Sequence, residues 1–287
     1  MFLNKQTIKQ GCWTAVEEGT WKGMPAIRKM YTSNQSIRYH AEKNNLGIMA
    51  NTDFGLFVNS TDTNDDELAL IFPYAPGKSG YDALQNENPL ATLSSMIESI
   101  VDETARMKKQ RKRFSFVSEG YKIENSPFTY CNLLVESSII DTKQKDELKK
   151  LLQIPRPDPV WGRYDPELSN LIVSEQGVSH IDYESMSIQD ILYPLAYAYV
   201  HIELASIPSE LKKIVGNGNF IRTAKNCAVG SLCTNSEFES RMKLNIAEVC
   251  GYIILETTRE KPRYLLSNKN KKRVDDSKRI LYKILSS

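Results

Sequence analysis

The 287 residues are 41% apolar and 25% charged with a formal net charge of +2, the balance of a soluble globular chain long enough for one large domain or two lobes. No domain-wide basic excess supports nucleic-acid binding, and five scattered cysteines without a Cys-x-x-Cys pair argue for reduced thiols rather than zinc or disulfides. The start shows no signal-peptide pattern, and the most apolar window, 191–207, holds Pro194, His201 and Glu203, so a buried helix in a cytoplasmic protein is expected rather than a membrane span.

Residues 7–31 alternate and turn like three antiparallel strands, with Glu18-Gly19 and Lys22-Gly23 as punctuation and 26–31 as the third strand. Ser33-Asn34 then offers a cap for a helix over 35–49, with Ile37, Ala41 and Ile48 on one face and Glu42 beside it. Two further strand-like runs, 55–58 and 67–72, flank the polar turn 62–66, and the second leads into Phe72-Pro73-Tyr74-Ala75-Pro76-Gly77. The remainder reads as helical. Leu90, Leu93, Ile97, Ile100, Val101, Thr104 and Met107 fall at helical spacing, and the basic run Arg106 to Arg113 complements that helix's C-terminus as a solvated end. A short amphipathic helix begins at Asp141, and Ser236 with Glu239 suggests a capping box for another. A last helix carries Val274, Leu281, Ile284 and Leu285. Tyr193, Tyr197, Tyr199 and Tyr252 invite comparison with a cation cage, although tyrosines at such spacing are more often core.

The most informative stretch is Val160 to Glu184, VWGRYDPELSNLIVSEQGVSHIDYE. Two apolar runs, 171–173 and 178–181, flank Ser174-Glu175-Gln176-Gly177, the pattern of a β-hairpin. A hairpin brings its outer ends together, so Asp165 and Asn170 before the first strand should converge with Asp182 after the second. Such a set suits phosphoryl transfer. One carboxylate orients and deprotonates an attacking hydroxyl, while a carboxylate and an amide oxygen hold Mg²⁺ against the phosphates.

Asp-x-x-x-x-Asn, strand, turn, strand, Asp, closing in Ile181-Asp182-Tyr183-Glu184, resembles the aminoglycoside phosphotransferase and choline kinase branch of the protein kinase-like superfamily. The resemblance implies an α+β, bilobal kinase-like fold. Residues 1–76 would form a five-stranded antiparallel lobe with one helix, and 77–287 a mainly helical lobe carrying the catalytic hairpin. It implies ATP and Mg²⁺ as cofactors and a small-molecule hydroxyl, of an amino alcohol, an aminoglycoside or another sugar, as acceptor. Asp165 would be the base, and Asn170 and Asp182 the metal ligands. Gly11, Thr14 and Val16 would line the phosphate loop, and Phe72 and Tyr74 the adenine hinge. Register against V-A-I-K places Arg28 at the phosphate-binding cation, braced by Glu42, with Ala26 roofing adenine and Lys29 in reserve. Two departures stand out: Arg163 occupies the place of the His that usually braces the loop, and Pro194 that of a structural Asp. Together with the degenerate phosphate loop and Arg28, they motivate a second reading, a catalytically weak kinase-like binding module, against which the retention of Asp165, Asn170 and Asp182 argues. A protein kinase is a third reading, disfavoured by the absence of D-F-G and A-P-E.

Overall fold

The computed structural model describes residues 2–10, 14–50, 62–109, 128–154, 160–163, 165–183, 186–259 and 268–286. The N-terminal lobe comprises β1 (Leu3–Gln10), β2 (Thr14–Trp21), β3 (Met24–Tyr31), α1 (Ser36–Ala50), β4 (Asp62–Asn64) and β5 (Ala69–Pro73). Its strands form an antiparallel sheet in the order β1-β2-β3-β5-β4. Lys22 and Gly23 both take positive φ, 50° and 83°, the tight primed turn whose twist matches the strands it joins. Gly19, in contrast, makes no turn. It sits inside β2, where a Cβ would lie 2.5 Å from the Leu3 carbonyl oxygen.

The run at 55–58 lies outside the described residues. The expected turn at 62–66 is partly strand, because Asp62–Asn64 pair with Ile71–Ala69. On α1 the buried stripe is Tyr39, Glu42, Asn45, Leu46 and Met49, while Ile37 is 60% exposed. Tyr39, Leu46 and Met49 pack with Tyr31 and Leu70 into one cluster, so the larger side chains decide which face turns inward.

The sheet has two distinct faces. Cross-strand partners put Val16, Lys29 and Leu70 on one, and Glu17, Arg28 and Ile71 on the other. Phe2, Ala26 and Ile71 form a separate small core on the second face.

The chain then enters β6 (Lys78–Ser79), α2 (Gly80–Ala83), α3 (Pro89–Lys109), α4 (Thr129–Glu136) and α5 (Thr142–Leu152). Asp141 caps α5 in a full capping box with Gln144. Next come β7 (Val160–Arg163), β8 (Leu171–Ser174), β9 (Gly177–His180) and β10 (Met186–Gln189). β8 and β9 form the expected hairpin, β6 pairs with the free edge of β8, and β10 pairs with β7. The tail is α6 (Tyr193–Leu204), α7 (Ser209–Val215), α8 (Asn217–Ala228), α9 (Asn235–Arg259) and α10 (Asn268–Leu285). Every residue of α6 from Tyr193 to Ile202 is buried, as a helix apolar all round must be. No described helix is long and apolar enough to cross a membrane. The cap of α9 lies earlier than Ser236: Glu237 accepts from the Thr234 amide and hydroxyl.

Candidate active site

Strand alternation decides which cation of β3 faces the cleft. Arg28, on the outer face, donates to Glu17, its cross-strand partner, at 2.6 Å and to Glu67 at 3.0 Å, and its guanidinium lies over the Phe2 ring. Lys29, on the inner face, has its Nζ 2.8 Å from Glu42 of α1 and 2.8 Å from Asp182. The expected pairing of Arg28 with Glu42 is therefore corrected by one residue: Lys29 makes it. Ala26 belongs to the outer core with Phe2, so Ile27, opposite Phe72, is the residue on Lys29's face. Thr14 and Val16 stand opposite Tyr31 and Lys29, hence on that same face. Gly11 lies outside the described residues. Tyr74, 42% exposed, is held through its amide to the Pro25 carbonyl.

Glu42 is 1% exposed. Its Oε2 accepts from Lys29 and from the Tyr31 hydroxyl, and its Oε1 from the Tyr183 amide at 3.2 Å. Burial pushes this carboxyl up in pKa, with Lys29 opposing. Asp182 goes the other way: burial would raise it, but the Lys29 ammonium holds it below the usual carboxylate range. Asp182 takes φ +68°, a conformation unfavourable for a residue with a side chain. Its neighbours secure it. Tyr183 is gripped through its amide by Glu42 and through its carbonyl by Asn45 at 2.8 Å.

On the hairpin side, the Ile181 amide donates to the Asn170 carbonyl at 3.0 Å, which joins the metal-ligand candidates across the hairpin base. The Asn170 amide nitrogen donates to the Asp165 carbonyl at 3.1 Å. That bond commits the NH₂ end inward and leaves the amide oxygen as the end for a cation. Asp182 keeps about a third of its side chain exposed, 30%. One carboxylate and one amide oxygen, with phosphate oxygens and water completing the shell, fit Mg²⁺ better than a metal needing an all-protein cage. Among the described residues no group of three His, Cys, Asp or Glu is placed to hold a metal by itself. Asp165 is half-buried beside α6, and its charge reaches the buried Tyr193 and Tyr197 phenols, which burial chiefly pushes up. Tyr193, Tyr197 and Tyr199 are core residues.

No family model matches the sequence, and no curated protein matches it. Solved structures do match. Aminoglycoside phosphotransferase APH(4)-Ia, in a ternary complex with ADP and hygromycin B, superposes with a TM-score of 0.67 at 9% identity, over 99% of this chain and 94% of that one. A choline/ethanolamine kinase family protein from Mesorhizobium loti gives 0.61 at 9% identity, over 99% and 88%. Amicoumacin kinase hAmiN, in complex with AMP-PNP, Ca²⁺ and Ami, gives 0.60 at 13%, over 97% and 88%. The chain has the aminoglycoside phosphotransferase fold.

Position 163, where the sequence resemblance implied a His, holds a buried brace. Arg163, with its side chain 1% exposed, donates to Glu103 of α3 at 3.1 Å and to the Ile181 carbonyl at 3.1 Å, and lies over the Tyr183 ring. Its Nη2 is 2.7 Å from His180 Nδ1. The same Nδ1 is 3.1 Å from Glu103 Oε2, and Nε2 is 2.6 Å from Ser99 Oγ. Glu103 also accepts from the Tyr183 hydroxyl at 2.5 Å. Burial alone would raise the Glu103 carboxyl, yet the Arg163 charge and these bonds hold it well below the usual range. The brace thus holds the Ile181 carbonyl before Asp182 and the Tyr183 side chain after it. Pro194 occupies the first turn of α6, where its missing N–H costs nothing, while Asp190 is held by Arg241 at 2.7 Å and by Asn245 at 2.8 Å. Glu103 escaped the sequence reading, although one signal was available. It falls three residues after Ile100 and four before Met107, an acid within an apolar stripe, and such a group needs a buried cation.

Proposed function

We propose that the chain is an ATP- and Mg²⁺-dependent phosphotransferase acting on a hydroxyl of a small molecule such as an amino alcohol, an aminoglycoside or another sugar. The observation that carries this reading is the meeting of Lys29, Glu42 and Asp182, three charges from β3, α1 and the hairpin, at 2.8 Å separations. A plain hairpin gives no reason to bring a lysine from the far lobe onto Asp182. Lys29 contacts the nucleotide phosphates and Glu42 keeps its ammonium in place. Asn170 and Asp182 would hold Mg²⁺, which when bound would neutralise charge on the phosphate oxygens. Asp165 accepts the acceptor's proton as the new P–O bond forms to the γ-phosphorus, whose bond to the bridging oxygen breaks so that ADP leaves. Phe72 and Tyr74 flank the adenine. That the solved neighbours were crystallised with ADP, AMP-PNP, hygromycin B or Ami agrees with this choice of cofactor and acceptor class.

The deciding experiment is a calorimetric titration with ATP, with and without Mg²⁺, on wild type and Asp182→Asn. Binding that needs Mg²⁺ and weakens at least tenfold in the variant, on the order of the loss of one charged ligand, supports the reading. Binding indifferent to Asp182 reduces the protein to a nucleotide-binding module, and no binding by wild type removes the phosphotransfer reading altogether.

A further inference from the structure

Two titratable groups near Asp165, the buried His201 and the partly buried Glu167, are unused by this chemistry. Glu167 sits between the base and Asn170. Its amide donates to the Asp165 carbonyl at 2.7 Å, and its carbonyl accepts from the Asn170 amide at 2.9 Å. The backbone of Glu167 is thus the bridge between the two functional side chains. Its side chain points to α6: Oε1 is 2.8 Å from His201 Nδ1, and Oε2 accepts from Ser169 Oγ at 3.0 Å. His201 is 5% exposed and stacks flat on Tyr197, with centroids 4.2 Å apart. Beyond the ring, Arg273 of α10 places Nη2 3.3 Å from His201 Nε2.

The donors fix the order of this chain. A guanidinium has no acceptor, so Nε2 must accept, and the neutral imidazole carries its proton on Nδ1, towards Glu167. The groups facing the ring are Glu167 from the loop, Arg273 from α10 and Tyr197 from α6 itself. Tyr81 of α2 lies near enough for its phenol to respond to Glu167 and Arg273. Burial would raise the Glu167 carboxyl, but the His201 and Ser169 hydrogen bonds and the Arg273 charge bring it down to about 2. It therefore stays an ionised acceptor throughout the neutral range.

We propose that Arg273, His201 and Glu167 form a positioning relay that ties the C-terminal helix to the catalytic loop and sets the distance between the base and the metal amide. The proposal rests on the phosphotransfer reading for its consequence, and on the loop itself for its test. Small displacements of a base or a ligand cost large factors in rate, and a loop held by its own backbone alone opens locally more often than one anchored to a packed helix.

The test combines amide hydrogen exchange of the full chain with Mg²⁺-dependent ATP turnover, water serving as acceptor. His201→Phe keeps the stack on Tyr197 and removes both bonds. Exchange of the loop amides around Glu167 should rise roughly tenfold or more, the scale of losing one charge-assisted hydrogen bond, while the amides of β3 and α1 stay unchanged. Turnover should fall with little change in the KM for ATP. Arg273→Gln, an exposed substitution that leaves the fold intact, should give the same changes in smaller measure. His201→Gln, with a donor and an acceptor at its tip, should restore part of the protection. Unchanged loop exchange in both His201→Phe and Arg273→Gln overturns the relay. Because exchange is read without nucleotide, that outcome is distinct from a wild-type protein that fails to bind ATP, which overturns the phosphotransfer reading instead.

Discussion

Replacing Glu103 by Gln tests the brace with the smallest change of shape. The carboxylate's Oε2 lies 3.1 Å from Arg163 Nη2 and 3.3 Å from Nε, and its Oε1 takes the Tyr183 hydroxyl at 2.5 Å. Glutamine can keep the Tyr183 bond, but its NH₂ then meets the donor-only guanidinium, and a side chain 1% exposed is left with an uncompensated charge. Removing one partner of a buried ion pair costs about 3–5 kcal/mol, and no cavity adds to this because the volume is conserved. Urea unfolding followed by circular dichroism should show that loss, and a thermal scan a drop of roughly 6–15 °C. The pH dependence supplies an independent check. The folded-state carboxyl sits below its ordinary value of 4.5, so its stabilisation is complete above that value and erodes as pH falls below it. The gap between wild type and Glu103→Gln should accordingly be flat at neutral pH and shrink in acid. A loss under about 1 kcal/mol at neutral pH, well short of the buried-pair range, would refute the claim that this pair holds the Asp182 backbone.

Three further outcomes follow from the same geometry. Lys29→Gln should weaken ATP binding by tenfold or more, while Arg28→Gln, which disturbs only the Glu17 and Glu67 contacts, should lower the melting temperature and leave nucleotide affinity unchanged. Calorimetry on the two variants separates them, and the reverse result would return the phosphate contact to Arg28. Arg163→His should lose both stability and turnover, since an imidazole is too short to reach Glu103 and the Ile181 carbonyl together. A variant that gains in either measure would show that the brace is dispensable. Gly80→Ala would set a Cβ 2.4 Å from the Leu168 carbonyl oxygen and 2.8 Å from Met96 Sδ. It should cost about 1–3 kcal/mol and slow ATP turnover by shifting the loop, so an unaltered melting temperature would contradict the tight fit.

The hairpin was legible because apolar run, glycine turn and apolar run leave little choice of register, and because Asp182 follows directly on the second strand. The lobe's first three strands and α6 were legible for a similar reason: alternation and an unbroken apolar window have few structural solutions. The face of β3 was not. Alternation states that Arg28 and Lys29 point oppositely but not which points inward, and Ala26, small enough to roof a base, instead packs under Phe2. Only the arrival of α1 and Asp182 on the Lys29 side settles the matter. Glu103 and Arg163 are 60 residues apart, and Glu167 and Arg273 are farther still. Pairings at such separations leave no local periodicity, and a buried charge announces only that it has a partner.

The pairing of β6 with β8 has a mechanical consequence. At Lys78 and Ser79 the chain is sewn to the β8–β9 hairpin, and Gly77, at φ +148°, packs so closely that a Cβ would sit 2.5 Å from the Val173 carbonyl oxygen. Only residues 74–77 lie between the end of β5 and that seam. Any movement of the N-terminal lobe against the hairpin would therefore swing about a very short pivot rather than slide. So short a tether also keeps the local concentration of the Lys29 ammonium at Asp182 high before any ligand arrives. Lengthening that segment with glycine and serine would dilute the encounter without altering a single side chain in the site.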